Sequence, residues 1–443
     1  MTVDDPDKYG EPMPGCETMK FPRDHSISSL PQSMVSQNGS QKVAWLIWIA
    51  HFAFITRQKI FERGRLDFDT LDTYAAVDVG IVSFLMIILL LNSRTSQFLT
   101  KVFTLSVFWL LLYYMVCALS ATWSLRPAYS FYRSVEFLVY FVSLVVALSY
   151  STGFEKAERR VIFLSILSIF IQMGLHIRGG ISFSLAAWHT NAYSASAAVI
   201  FAYCAGEYMA MEREKPAEER KRGKSLLFYG CLSFSLLALG TSSASNVAAL
   251  LGIVLVLLVR RKFTIVVIIA VTTLPFFILG DGLDMLTRIV FPGKSEEAIE
   301  TLGGRTITWD YYAERIAASP WLGYGLGVSP TNVGGVWMAY SHNFVISILI
   351  GTGFMGLSVF LIFLAKLALE LVQVFRARIK GSLGIAAAMV AGFVNSLGMP
   401  MIADRWYTAS FAFMSVFTLF ILHVHAVYRK SGESSVSGNP TLM

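Results

Sequence analysis

Apolar runs alternate with short polar clusters along most of the chain. The runs fall at about 43–56, 75–92, 102–121, 128–150, 160–176, 190–211, 225–241, 244–259, 263–280, 342–373, 382–399 and 406–428. Most approach the ~20 residues an α-helix needs to cross a bilayer, although the first is short for that purpose. The pattern predicts an all-α polytopic membrane protein with about twelve transmembrane helices. Strand-sized segments with dyad alternation are absent, which argues against a β-barrel. The run at 342–373 is long, roughly 48 Å at ~1.5 Å per residue against a hydrocarbon core of ~30 Å. Lys366 and Glu370, four apart, mark its far end. Counting ~20 residues back from there leaves His342 at headgroup level. Gly351, Gly353 and Gly356 allow a bend or close helix packing within this run.

Composition agrees with that class: 55% of the 443 residues are hydrophobic and only 15% are charged. The net charge of +7 then bears on topology and not on a nucleic-acid partner. Lys and Arg gather before the first run and in every second connection after it: Arg94 and Lys101, residues 156–160, 212–224, 260–262 and 376–380, then Arg429 and Lys430. The positive-inside rule places these segments, and both termini, in the cytoplasm. The hairpin carrying Arg57, Lys59, Arg63 and Arg65 runs against the rule. Residues 1–42 read as a disordered cytoplasmic tail without the apolar core of a signal peptide. Residues 43–428 form the transmembrane domain, and 429–443 a second cytoplasmic tail. Of the four cysteines, Cys16 lies in the tail and Cys117, Cys204 and Cys231 in apolar runs, so neither a disulfide nor a metal-binding spacing is expected.

The one large external connection is 281–341. Pro292, Pro320 and Pro330 prevent it from being a single helix. Its middle, Thr306–Ser319, has Trp309, Tyr312 and Ile316 on one face and is followed by Pro320, which predicts a short amphipathic helix. Arg305 opens that helix. Helix N-termini attract anions, and Gly303 and Gly304 let a ligand approach closely, so the arrangement suits a phosphate or diphosphate. The other reading is a solvated loop arginine.

His342 opens the long helix. Partial desolvation and the helix N-terminus both disfavour imidazolium, leaving the neutral ring that a general base requires. It would otherwise be a capping residue alongside Ser341 and Asn343. Arg133 and Glu136 lie inside a run at i, i+3; they either pair with each other or offer Arg133 as a second phosphate ligand. Arg178, His189 and Asn191 border the connection before the sixth helix, where Arg178 suits an anion and the other two either bind substrate or cap the helix. Asp67 and Asp69 form a D-x-D pair that can hold a divalent cation, but short polar loops often contain one by chance. No metal and no cofactor is assigned.

Several motifs occur in order: Leu119-Ser120-Ala121-Thr122-Trp123-Ser124, Arg133, His189-Thr190-Asn191, Gly304-Arg305…Trp309, Ser319-Pro320-Trp321-Leu322-Gly323-Tyr324-Gly325, His342-Asn343 and Gly353-Phe354-Met355-Gly356-Leu357. Together, over roughly residues 101–375, they resemble the O-antigen ligase and polysaccharide polymerase superfamily, and the His-x-Asn variant is most similar to its exopolysaccharide polymerase branch. The resemblance implies a GT-C-like glycosyltransferase architecture with one large periplasmic loop. It also implies metal-independent, inverting transfer at the periplasmic face of the inner membrane. The donor is an oligosaccharide on undecaprenyl diphosphate. His342 is then the base, and Arg305 holds the leaving diphosphate with Arg178 as its partner; Asn343, Arg133, His189 and Asn191 are candidate substrate contacts. Membrane lipid, a chain-length regulator and export machinery are the partners to expect. Ligases of this superfamily often carry an arginine in the turn that here reads Gly240-Thr241-Ser242-Ser243-Ala244-Ser245.

Polymerase and ligase share this chemistry and differ in acceptor. Acidic residues outnumber basic ones in loop 281–341, an unfavourable surface for a phosphorylated lipid A core. That favours the polymerase. A secondary transporter or lipid-linked sugar flippase is the reading from another class. Against it stand the absence of a repeat between halves and the absence of the Asp-Arg-Gly-Arg-rich signature in 92–101.

Overall fold

The computed structural model describes residues 37–60, 73–101, 105–151, 153–178, 191–211, 217–240, 242–260, 305–327, 341–376, 379–404 and 406–424. Every regular element among them is helical. In chain order they are α1 (Gln37–Ile60), α2 (Thr73–Leu91), α3 (Ser93–Lys101), α4 (Ser106–Leu119), α5 (Pro127–Ser149), α6 (Phe154–Arg178) and α7 (Asn191–Ala210). There follow α8 (Ala217–Leu239), α9 (Ser243–Val259), α10 (Arg305–Ala318), α11 (Phe344–Arg376), α12 (Ser382–Ser396) and α13 (Thr408–Leu419). The apolar runs coincide with helices, except that 263–280 lies outside the described residues. By length and composition α5 and α11 can each cross a membrane, and the α2–α3 pair, bent by 82°, makes a third candidate. Among the described residues the protein is all-α, with helices long and apolar enough to cross a membrane.

Helix α7 is the centre of one half, packed against α6, α8, α9, α12 and α13. Small residues set its distance from α12: a Cβ on Gly206 would lie 2.9 Å from the Cα of Gly384. Between α9 and α12, a Cβ on Gly252 would lie 2.8 Å from the carbonyl of Ala387. Lipid gives apolar helices no hydrophobic reason to associate, so close backbone approach supplies the attraction. The other half gathers α1, α2, α4, α5 and α11 around aromatic side chains. Trp406 stacks on Tyr140 at 5.4 Å and Tyr114 on Phe137 at 4.1 Å.

Two features of α11 go beyond the sequence reading. Glu370 does more than mark the far end of the run: its carboxylate accepts from the Ser106 N–H and hydroxyl, both at 2.6 Å, and so caps α4 from a distance. The glycine-rich stretch also does more than bend. At Gly353 (φ 62, ψ −159) the helix is broken, and the segment Pro320–Gly325 fills the break. The N–H groups of Tyr324 and Gly325 donate to the carbonyls of Ile350 and Gly351, both at 2.8 Å. The N–H groups of Phe354 and Met355 donate in return to Pro320 and Trp321, at 2.8 and 3.2 Å. The helical bonds that Gly353 forfeits are thereby replaced across the chain. The same segment is bound on its other side: Trp123 Nε1 donates to Leu322 O at 3.0 Å, and the Leu326 N–H to Ser120 Oγ at 3.2 Å. Several motifs of the sequence thus meet in one joint.

Candidate active site

The joint holds α10 and the start of α11 together, and these two elements carry Arg305 and His342. Helix α10 begins at Arg305, as the sequence predicts. One turn later Trp309 Nε1 donates to the carbonyl of Ser341 at 2.7 Å, tying the helix to the residue before His342. Ser341 Oγ lies 2.7 Å from Ser347 Oγ. Asn343 Oδ1 accepts from the N–H groups of Val345 (2.9 Å) and Ile346 (3.4 Å), the arrangement of a helix N-cap. His342 sits between these anchors with φ 52, a left-handed conformation uncommon outside glycine. Such strain persists only where surrounding contacts over-determine it.

Electrostatics couple the two residues. Burial lowers the affinity of His342 for a proton, and the positive charge of Arg305 lowers it further. The imidazole is therefore neutral to a lower pH than a free histidine. Burial also lowers the pKa of Arg305, and among the described residues no carboxylate offsets it. The guanidinium reaches the far side of the site: a Cβ on Gly398 would lie 3.4 Å from Arg305 Nη1 and 2.9 Å from Ala244 Cβ. Arg305 accordingly approaches the first turn of α9 and the segment after α12. A half-buried cation and a neutral base side by side can hold an anionic leaving group and accept a proton from a nucleophile.

The remaining candidates are placed as follows. Arg133 is buried and donates to Glu136 Oε2 at 2.8 Å, with Asp78 Oδ2 at 3.4 Å; Arg57 Nη2 meets Asp78 Oδ2 at 2.9 Å. Of the two readings of Arg133, the pairing is what the structure shows. Both contacts are made through Nη1 of Arg133. Arg57 and Asp78 escaped the sequence reading as members of this network, although a lone Asp in an apolar run was the visible signal. The pairing also accounts for one of the cations that runs against the charge rule. Asn343 is engaged as a cap through its carbonyl oxygen. Arg178 closes α6 and Asn191 opens α7; His189, Asp67 and Asp69 lie outside the described residues.

Residues 227–361 match the model of a family described as O-antigen ligase. The segment runs from α8 into α11 and contains Arg305, His342 and the Pro320–Gly325 insertion. No curated protein matches the chain. The match places this segment, and with it the candidate site, in the O-antigen ligase and polysaccharide polymerase superfamily.

Proposed function

We propose that the protein polymerises undecaprenyl-diphosphate-linked oligosaccharide repeat units into exopolysaccharide. The transfer is inverting and metal-independent, and occurs at the periplasmic face of the inner membrane. In this reading the helices make about twelve crossings, both termini are cytoplasmic, and loop 281–341 is periplasmic. The observation that carries it is the pairing of Arg305 with a neutral His342 beside the match to the superfamily. His342 takes the proton of an acceptor hydroxyl. That oxygen bonds to C1 of the donor sugar as the C1–O bond to diphosphate breaks, and the electron pair leaves with the diphosphate. Arg305 holds the developing charge, since guanidinium matches phosphate oxygens bidentately. Single displacement inverts C1.

The family's description favours a second reading, a ligase that transfers the lipid-linked glycan to lipid A core. Both are tested with purified protein in lipid, supplied with undecaprenyl-diphosphate-linked repeat units. A ladder of longer glycans from the wild type and none from His342→Ala supports the polymerase. Transfer only after lipid A core is added supports the ligase. No transfer in either case would sink both and restore the transporter.

A further inference from the structure

Helix α11 consists of two arms, and the contact between them fixes where His342 lies. Sixteen positions separate Phe344 from Phe360, roughly 24 Å along an uninterrupted helix at ~1.5 Å per residue. Their ring centroids are 5.7 Å apart. Two phenyl groups cannot close that gap along a straight or gently curved helix, so the arms 344–352 and 354–376 fold back on one another at Gly353. The vertex is tight: a Cβ on Gly356 would overlap the side chain of Thr352. The first arm therefore runs back along the second, and its N-terminal end rests on Phe360. Phe360 is fully buried. Its ring is backed by Tyr113 of α4 at 5.3 Å and by Phe363 at 5.4 Å. Tyr113 is held in turn by its hydroxyl, which donates to Ala403 O at 2.8 Å. Close-packed aromatic rings of this kind make a stiff seat. The seated end carries the Asn343 cap, which accepts the Val345 N–H at 2.9 Å. His342 precedes that cap in a left-handed conformation that leaves the chain little freedom.

We infer that Phe360 is a positioning residue for the transfer proposed above: it seats Phe344, and through Phe344 and the Asn343 cap it keeps His342 beside Arg305. This rests on that reading. Phe360 acts only through the arm that it supports. A small side chain in its place lets the end of the arm settle into the vacated space, and a shift of about 1 Å at a catalytic group can cost ~10²-fold in rate.

The test is a double-mutant cycle on the full chain in lipid, with undecaprenyl-diphosphate-linked repeat units as donor and lipid A core added where the donor alone gives no product. Phe360→Ala should lower kcat about 100-fold and leave KM for the donor near the wild-type value. The acidic limb of its pH–rate profile should move upward, as His342 leaves its burial and the charge of Arg305. Phe344→Ala should do the same, and the double variant should lose little more than either single one, because both break one contact. Phe360→Leu keeps much of the apolar bulk and should restore most of the rate. Where the Ala variant does not fold, the cycle runs with Leu at both positions and should show the same pattern in smaller measure. A lower unfolding midpoint with kcat and limb unchanged would make Phe360 a packing residue only and overturn the inference. So would losses that multiply in the double variant, as two independent positions give. A wild type that transfers to neither acceptor removes the glycosyl-transfer reading and this role with it, whereas wild-type transfer with unresponsive Phe360 variants removes this inference alone.

Discussion

His342 carries two influences that act in the same direction, burial and the charge of Arg305. Its folded pKa lies below the ordinary ~6.5 of histidine, so the acidic limb of a pH–rate profile should lie below that value. Substituting Arg305→Gln removes the second influence and should move the limb upward, while lowering the rate by about 10²–10³-fold through loss of leaving-group stabilisation. A limb that stays in place would mean that Arg305 does not act on His342. The same shift bears on stability. A base depressed in the folded state favours folding in its neutral form, so that contribution is present above the unfolded value and is lost as pH falls through the folded one. His342→Ala should leave folding intact and cost about 10²–10⁴-fold in rate, the range for a general base.

At the scale of elements, the broken helix is the most sensitive part. A Cβ at Gly353 would lie 2.3 Å from the carbonyl carbon of Trp321, in a backbone conformation open essentially to glycine alone. Gly353→Ala should cost about 3 kcal/mol or more and abolish transfer, read by thermal unfolding in detergent together with the polymer assay. The ion network joining α1, α2 and α5 is a separate test. Glu136→Gln leaves Arg133 and Arg57 buried with one carboxylate between them, and should destabilise by about 3–5 kcal/mol; an unchanged unfolding midpoint would show that the network contributes little.

How much of this was legible in the sequence divides along the same line. The apolar runs, the start of α10 at Arg305 and the placing of His342 before a long helix all follow from periodicity and glycine and proline punctuation. The exchange of hydrogen bonds at Gly353 does not, because backbone partners leave no mark on side-chain pattern. The partnership of Arg57 and Asp78 with Arg133 was hidden for another reason: it depends on which helix faces meet, and a single sequence states only that charges lie in apolar runs.

The molecule as a whole is two groups of helices meeting around the site, one built on small residues and the other on aromatic ones. Gly206→Val should force α7 from α12, where backbone atoms already approach within contact distance, and lower the unfolding midpoint by several degrees. The transmembrane arrangement is open to direct test with single cysteines in a background lacking the native four. In intact cells a membrane-impermeant thiol reagent should label Ser295→Cys, in loop 281–341, and not Lys221→Cys. The reverse pattern would invert the topology and remove the periplasmic assignment.

The joint at the break in α11 also bears on how the protein is made. Its partners Trp123 and Leu322 are 199 positions apart, and Ser120 and Leu326 are 206 apart. Helices α4 and α5 are synthesised early, and their surface for this contact waits until the insertion arrives. Even then, Phe354 and Met355 must follow before the exchange is complete. Contacts between such distant positions form late, because closing the intervening chain is entropically costly. The geometry around Arg305 and His342 is therefore among the last things the nascent chain acquires, and under the proposed function a chain stalled before residue 355 would meet a membrane stocked with activated sugar lipid while still inert towards it.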